Sequence, residues 1–240
     1  MAILKADKTR TFNGITISEK LIKDGSKLKP NKPLKNGKVE WITIHNTPDV
    51  KEAAGTNDAE QYARATYNNN MGDVVVHYYI DETDCWHILA DDTVGWHAAD
   101  GVNGPGNTQS VAVEIVMDGS GDAGDKGAED RGALLAAILL HRYGLGIDRL
   151  KTHRDWYPKK YCPAYILPHW GAFVGKVKAY LAQLEAQDAK QAEAGRPAPA
   201  GGKKYYRVQV GYFGRYENAK ALKDLLNKAG FDAFIREESA

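Results

Sequence analysis

Four short runs of alternating, β-branched residues, followed by two stretches with apolar residues at helical spacing, confine this chain to a sheet covered by helices. VEWITIHNT (39–47) alternates and ends on a polar cluster, and VVVHYYID, CWHILA and SVAVEIVMD repeat the pattern downstream. The gaps between them are short and rich in Asp/Thr and Gly/Asn/Pro turns, which predicts antiparallel or mixed pairing. NDAEQYARATYNN, from Asn57 to Asn69, opens on an N-capping residue and holds helix formers. AEDRGALLAAILLHRYG reads as an amphipathic helix stopped at Gly144. HWGAFVGKVKAYLAQL places Trp170, Phe173, Val174, Val177, Tyr180, Leu181 and Leu184 on one helical face. DGSGDAGDKG is expected to be a solvated loop, its acidic spacing unlike that of a calcium hand. Residues 1–40, rich in Lys, Asn, Pro and Gly, are expected to form an extended arm over the surface.

Beyond Leu184 the composition changes abruptly. EAQDAKQAEAGRPAPAGGKK carries no large apolar anchor and reads as a helical fringe running into a flexible linker, taken as residues 186–202. YYRVQVGYF, YENAKALKDLLNKAG and FDAFI then give strand, helix and strand, a small β-α-β unit over 203–240. The expected fold class is therefore α/β: a mixed central sheet flanked by helices over residues 1–185, plus this unit.

Lys and Arg total 32 against 31 acidic residues, so no global field recruits nucleic acid or an anionic membrane surface. The N-terminus has too short an apolar run for a signal peptide and no stretch would span a membrane, so synthesis in the cytoplasm without membrane insertion is expected. In that compartment Cys85 and Cys162 are better placed for metal binding or chemistry than for a disulfide.

Three residues have the chemistry of zinc ligands: His45 at a strand end, His153 in KTHRDWYP and Cys162 in KKYCPAY. Borderline-soft zinc takes imidazole and thiolate, and three protein ligands leave a fourth position for the water of a hydrolase. Spacing alone leaves it equally open that the histidines are loop residues and Cys162 a small buried hydrophobe.

ITIHNT, the WHA ending at Ala98, SVAVEI, and the run from His153 through KKYCP stand in the order found in zinc amidases that cleave between N-acetylmuramic acid and L-alanine. The chain resembles that family, which includes phage endolysins and peptidoglycan recognition proteins, over roughly residues 25–185. The resemblance implies Zn2+ held by His45, His153 and Cys162, with Glu114 as catalytic acid and Lys160 as the lysine two positions before the cysteine. It implies a contact to substrate or its oxyanion from His97; beside this, Trp96 and Trp86 are expected to offer faces to sugar rings, and Asn46 and Thr47 to line the site and orient the ligand strand. Val76 stands where some relatives carry a catalytic tyrosine, next to His77, which leaves the proton work to Glu114. Strand alternation supports this, placing Glu114 on the face of Ala112 and Val116. His141 and His169 read as structural.

The tail resembles a SPOR repeat, with Gln209, Tyr212 and Phe213 matching its strand and turn, and this implies glycan binding. Only one β-α-β half is legible, shorter than the ~40 residues a self-sufficient core usually needs, so a homodimer pairing two halves is expected. The expected partner is bacterial peptidoglycan, reached after release from the cell, through a holin if the gene is a phage's. Two rivals remain at this point: a noncatalytic recognition module, members of which typically lose the cysteine, and a muropeptide-recycling amidase, a branch that tends to use aspartate there.

Overall fold

A β-hairpin opens the chain. Strands β1 (Lys8–Phe12) and β2 (Ile15–Glu19) pair antiparallel from Lys8↔Glu19 to Phe12↔Ile15. Asn13 and Gly14 turn the corner with φ of 46° and 88°, the doubly left-handed turn that matches strand twist and that Asn-Gly adopts at little cost. Ile15 and Ile17 point into the core while Thr16 and Ser18 alternate outward. The expectation of a surface arm over residues 1–40 is thus corrected for this segment: it is an integral edge of the sheet.

The structure, a computed structural model, describes residues 3–22, 32–47, 58–194, 211, 216–228 and 233–235. It separates into two units, Met1–Asp188 and Ala189–Ala240. The first is built on a seven-stranded mixed sheet in the order β1-β2-β5-β4-β6-β3-β7. Its other strands are β3 (Trp41–Asn46), β4 (Tyr78–Ile80), β5 (Cys85–His87), β6 (Ser110–Ile115) and β7 (Leu150–Thr152). β4, β6, β3 and β7 run parallel, so their C-terminal ends lie along one rim.

The two faces are covered differently. Ile42, Ile44, Val111, Val113 and Ile115 pack under α3 (Ala123–Arg142) and α5 (Trp170–Ala194), meeting Leu135, Leu139, Phe173 and Val177 in the larger core. Gly132 is where α3 comes closest to the sheet: a Cβ there would stand 2.3 Å from the Ile115 side chain. The opposite face carries Tyr79, Trp86, Ala112 and Val116 beneath α1 (Ala59–Tyr67), which buries Ala59 and Ala63. Asp58 caps α1, one residue beyond the position read from the sequence. Helix α3 also begins earlier than expected, because Asp122 accepts a hydrogen bond from Asp125 N–H and draws the Gly/Asp stretch from Ala123 onward into its first turns.

Helix α5 continues to Ala194, so the first part of the segment read as a linker is helical. In the second unit the structure describes α6 (Tyr216–Lys228), the expected tail helix. All of the first expected tail strand but Gly211 lies outside the described residues, as do Gln209, Tyr212 and Phe213, and of FDAFI residues 233–235 are described and lie in no strand. No helix among the described residues is long and apolar enough to cross a membrane.

A buried polar cluster joins the hairpin to the sheet. His87 Nδ1 lies 3.3 Å from Glu19 Oε2, and its Nε2 lies 3.1 Å from Asp91 Oδ1. Arg10 pairs with Glu19, and Arg142 and the Tyr143 hydroxyl reach Asp91 Oδ2. Burial pulls the His87 pKa down, but Asp91 and Glu19 outweigh it and raise the pKa above its ordinary value. A raised folded-state pKa stabilises the fold below the unfolded value near 6.5, and that contribution disappears as pH rises through the folded value. The destabilisation caused by His87→Gln is therefore expected to be largest near pH 6 and to shrink as the pH rises. Urea unfolding of both chains across that range checks this, and a pH-independent difference would contradict it.

Candidate metal centre

The parallel register of β3 and β6 sets His45 directly beside Glu114 at the rim. β7, on the other flank of β3, ends at Thr152 and passes straight into α4 (His153–Trp156). A capping box fixes that junction: the Thr152 hydroxyl accepts from Asp155 N–H while the Asp155 carboxylate accepts from Thr152 N–H. His153 is thereby held at the first position of the helix, next to His45, their ring centroids 4.7 Å apart. Cys162 returns on the following loop, which is tied back by Arg154 N–H donating to the Cys162 carbonyl. Tyr165 N–H donates to Asn46 Oδ1 and anchors the loop's far side to β3.

Donor atoms of His45, His153 and Cys162 all lie within 4.8 Å of one another, and all three residues are buried. His45 Nδ1 faces Cys162 Sγ at 3.7 Å. Burial holds His45 far below the ordinary histidine range, helped by the charges of His153 and Lys160. Burial, then Lys160, lowers His153 to about 4. Both rings are therefore neutral at pH 7 and offer lone pairs. Burial pushes the Cys162 thiol up to about 12, with Glu114 adding to the effect. A divalent cation reverses that balance, since its charge draws off the thiol proton.

His153 Nε2 is buried without a hydrogen-bond partner. An orphaned buried polar atom costs about 1–3 kcal/mol, and here it sits in a cluster whose donor types suit zinc. The residues present therefore fit the metal that the sequence led us to expect.

Glu114 is half-buried beside this cluster. Burial raises its pKa to about 8, against the opposing charge of Lys160. A carboxyl at that value is largely protonated at neutral pH and can give its proton to a departing nitrogen. Lys160 is exposed, yet its ammonium acts electrostatically on His45, His153, Cys162 and Glu114 together.

Several expected substrate contacts are placed elsewhere. His97 is buried with Nδ1 3.1 Å from His45 Nε2 and Nε2 3.4 Å from Ser110 Oγ, so both ring nitrogens face protein groups rather than a ligand. Trp86 is 6% exposed in the core beneath α1 and offers no open face to a sugar. Asn46 and Thr47 are also buried, Asn46 bonded to Tyr165 and Thr47 exchanging hydrogen bonds with the Met117 backbone, so they hold β3 and its loops in place. Trp96 alone of this group stays partly exposed, lining a cavity of about 500 Å³ with Lys32, Pro33, Lys35, Val94, Val102, Asn103 and Thr108. His77 is structural: it accepts from Ala112 N–H and its Nε2 faces the Thr93 carbonyl. His169 pairs with Glu129 and His141 with Asp188, both remote in role from the cluster.

Asn107 and Ser110, which hold His97 and its neighbour, were not legible as site residues. The one cue nearby was Gly104-Pro105, a helix-start signal for α2 (Pro105–Gln109).

The chain matches the N-acetylmuramoyl-L-alanine amidase family over residues 35–165. A second match, to the SPOR domain, covers residues 172–237 and so begins within α5 rather than at residue 203. Among curated proteins, the N-acetylmuramoyl-L-alanine amidase CwlA of Bacillus subtilis is 36% identical over 149 residues, 62% of this chain and 51% of that protein. XlyB of the same species is 38% identical over 129 residues, 53% of this chain and 38% of its own length. The chain spans about half the length of the first of these relatives, and less of the second. Among solved structures, the catalytic domain of XlyA superposes with a TM-score of 0.59 at 28% identity, covering 67% of this chain and 98% of that one. The PlyG catalytic domain gives 0.60 at 32%, covering 69% and 94%. The mixed sheet and its helices are thus those of endolysin catalytic domains, and with a match running from residue 35 to 165, more than half its length, the protein belongs to the N-acetylmuramoyl-L-alanine amidase family.

Proposed function

We propose that this protein hydrolyses the amide bond between N-acetylmuramic acid and L-alanine in bacterial peptidoglycan, using a zinc ion held by His45, His153 and Cys162. The observation that carries this reading is the convergence of three neutral, buried donors, one with an orphaned nitrogen, beside a carboxyl whose pKa lies about 8. When bound, zinc supplies Lewis acidity toward the scissile carbonyl and brings the acidity of water near neutrality.

The protein's own groups do the rest. Glu114 moves the proton, delivering it to the L-alanine nitrogen as the carbon–nitrogen bond breaks. Lys160 stabilises negative charge growing on the carbonyl oxygen, its ammonium lying within electrostatic reach of the same cluster. Of the two tryptophans expected to meet substrate, Trp96, on the wall of the cavity described above, is the one left partly exposed. The presence of Cys162 and Glu114 favours catalysis over mere recognition, and a cysteine rather than an aspartate separates the site from the recycling type. The SPOR match supports a second hold on the wall through the tail, and joining of two tails would make the protein a homodimer acting on the wall after release from the cell.

Replacing Cys162 with Ser is expected to remove stoichiometric zinc and abolish lysis of purified walls. Metal analysis checks this directly, and full zinc retention would overturn the ligand set. Glu114→Gln is expected to keep fold and zinc while lowering turnover ~10²–10⁴-fold, the usual contribution of a proton-transferring side chain. Cleavage by the parent chain should release new L-alanine amino termini and no reducing sugars, and reducing ends would mean a glycosidase instead. Light scattering tests the homodimer, and a strictly monomeric chain at high concentration would rule it out.

A further inference from the structure

His45 stands near the end of strand β3 and His153 opens helix α4, and the ring of the first is fixed by a third histidine, His97. The Ser110 hydroxyl donates to the Gly106 carbonyl at 2.6 Å, so toward His97, 3.4 Å away, its oxygen accepts. His97 therefore carries its proton on Nε2, and its Nδ1 accepts from His45 Nε2–H at 3.1 Å. That leaves His45 Nδ1 without a proton, the atom that faces Cys162 Sγ.

That support hangs on one side chain. Asn107 Oδ1 accepts from His97 N–H at 2.9 Å and from Ala98 N–H at 2.8 Å, while its Nδ2 donates to the Gly101 carbonyl at 3.1 Å. Asp100 locks the amide in turn, accepting from Asn107 N–H and Gly106 N–H at 3.2 and 2.7 Å. Asn107 is 2% exposed and touches neither ligand itself.

We propose that Asn107 is a positioning residue for the ligand His45, setting its tautomer and aim through the His97 ring. The proposal rests on the zinc reading given above. An amide suits the task because one oxygen must accept two backbone N–H groups while the nitrogen braces the loop from the other side. Alanine at this position removes all three bonds, whereas aspartate keeps the double acceptor and gives up the brace. Outer hydrogen-bond partners of metal ligands typically change affinity 10–100-fold when lost.

The test uses the full chain as parent, Asn107→Ala, Asn107→Asp and Ser110→Ala. Zinc affinity is read by chelator competition, and histidine tautomers in the metal-free protein are read by long-range 1H–15N correlation. Asn107→Ala is expected to lose 10–100-fold in zinc affinity and to show mixed tautomers at His45. Asn107→Asp should keep the parent tautomers and stay within severalfold of parent affinity. Ser110→Ala should disturb His45 alone and leave His153 unchanged, an asymmetry that a general loosening of the fold would not produce. A folded Asn107→Ala with parental affinity and parental tautomers overturns the proposal. If Asn107→Ala does not fold, unchanged His45 tautomers in Ser110→Ala overturn it instead. Failure of the parent to bind zinc would sink the metal reading separately, with the tautomer comparison still deciding the role of Asn107.

Discussion

Everything at the candidate centre depends on β3 lying parallel between β6 and β7. Parallel pairing aligns strand ends of the same polarity, so residues at the C-terminal ends of the three strands meet at one rim, where α/β proteins commonly place their ligands. His45 and Glu114 are register partners on the same face, and the β7-to-α4 junction delivers His153 beside them. A shift of one residue in that register would turn either side chain to the opposite face, into the apolar core beneath α3. The larger core, with Phe173, Leu135 and Ile44 fully buried, is what makes such a shift costly.

The centre is also a place where the protein accepts a local cost. Three neutral donors and a largely protonated carboxyl are crowded together, and one nitrogen has no partner. The contrast with the His87 cluster is instructive. There carboxylates surround the imidazole and raise its pKa, giving a network of opposite charges that joins the hairpin to the sheet. Around His45 burial does most to keep the rings neutral, and the neighbours, other histidines and a lysine, add to it. The same residue type serves adhesion in one cluster and ligand supply in the other because the sign of the surrounding charge differs.

Much of this was open to reading in the sequence. The alternation in ITIHNT and SVAVEI located both strands and turned Glu114 toward the site, and the apolar spacing from Trp170 to Leu184 named the helix face that is buried. The hairpin at Asn13-Gly14 was equally legible in principle, but the Lys- and Asn-rich surroundings masked a period-two signal only a few residues long. β7, at three residues, is too short to show periodicity at all, and its cue was the Thr152-to-Asp155 capping box. For α3, the Asp122 cap outweighed a Gly/Asp composition that suggested a loop.

Residue types, order and spacing determined which side chains can bind a metal, which strands carry them and to which family the chain belongs, because donor chemistry and strand alternation are local properties. What each side chain meets across the fold was decided only by tertiary structure. Neighbours 96 and 97 end in different surroundings, Trp96 in a surface cavity and His97 against a ring 52 positions away. Trp86 and Trp96 look alike in sequence, yet packing beneath α1 buries the first and leaves the second exposed. The reason is physical: a hydrogen-bond partner or a covering helix contributed by a distant segment leaves no trace in the spacing of the residues it contacts.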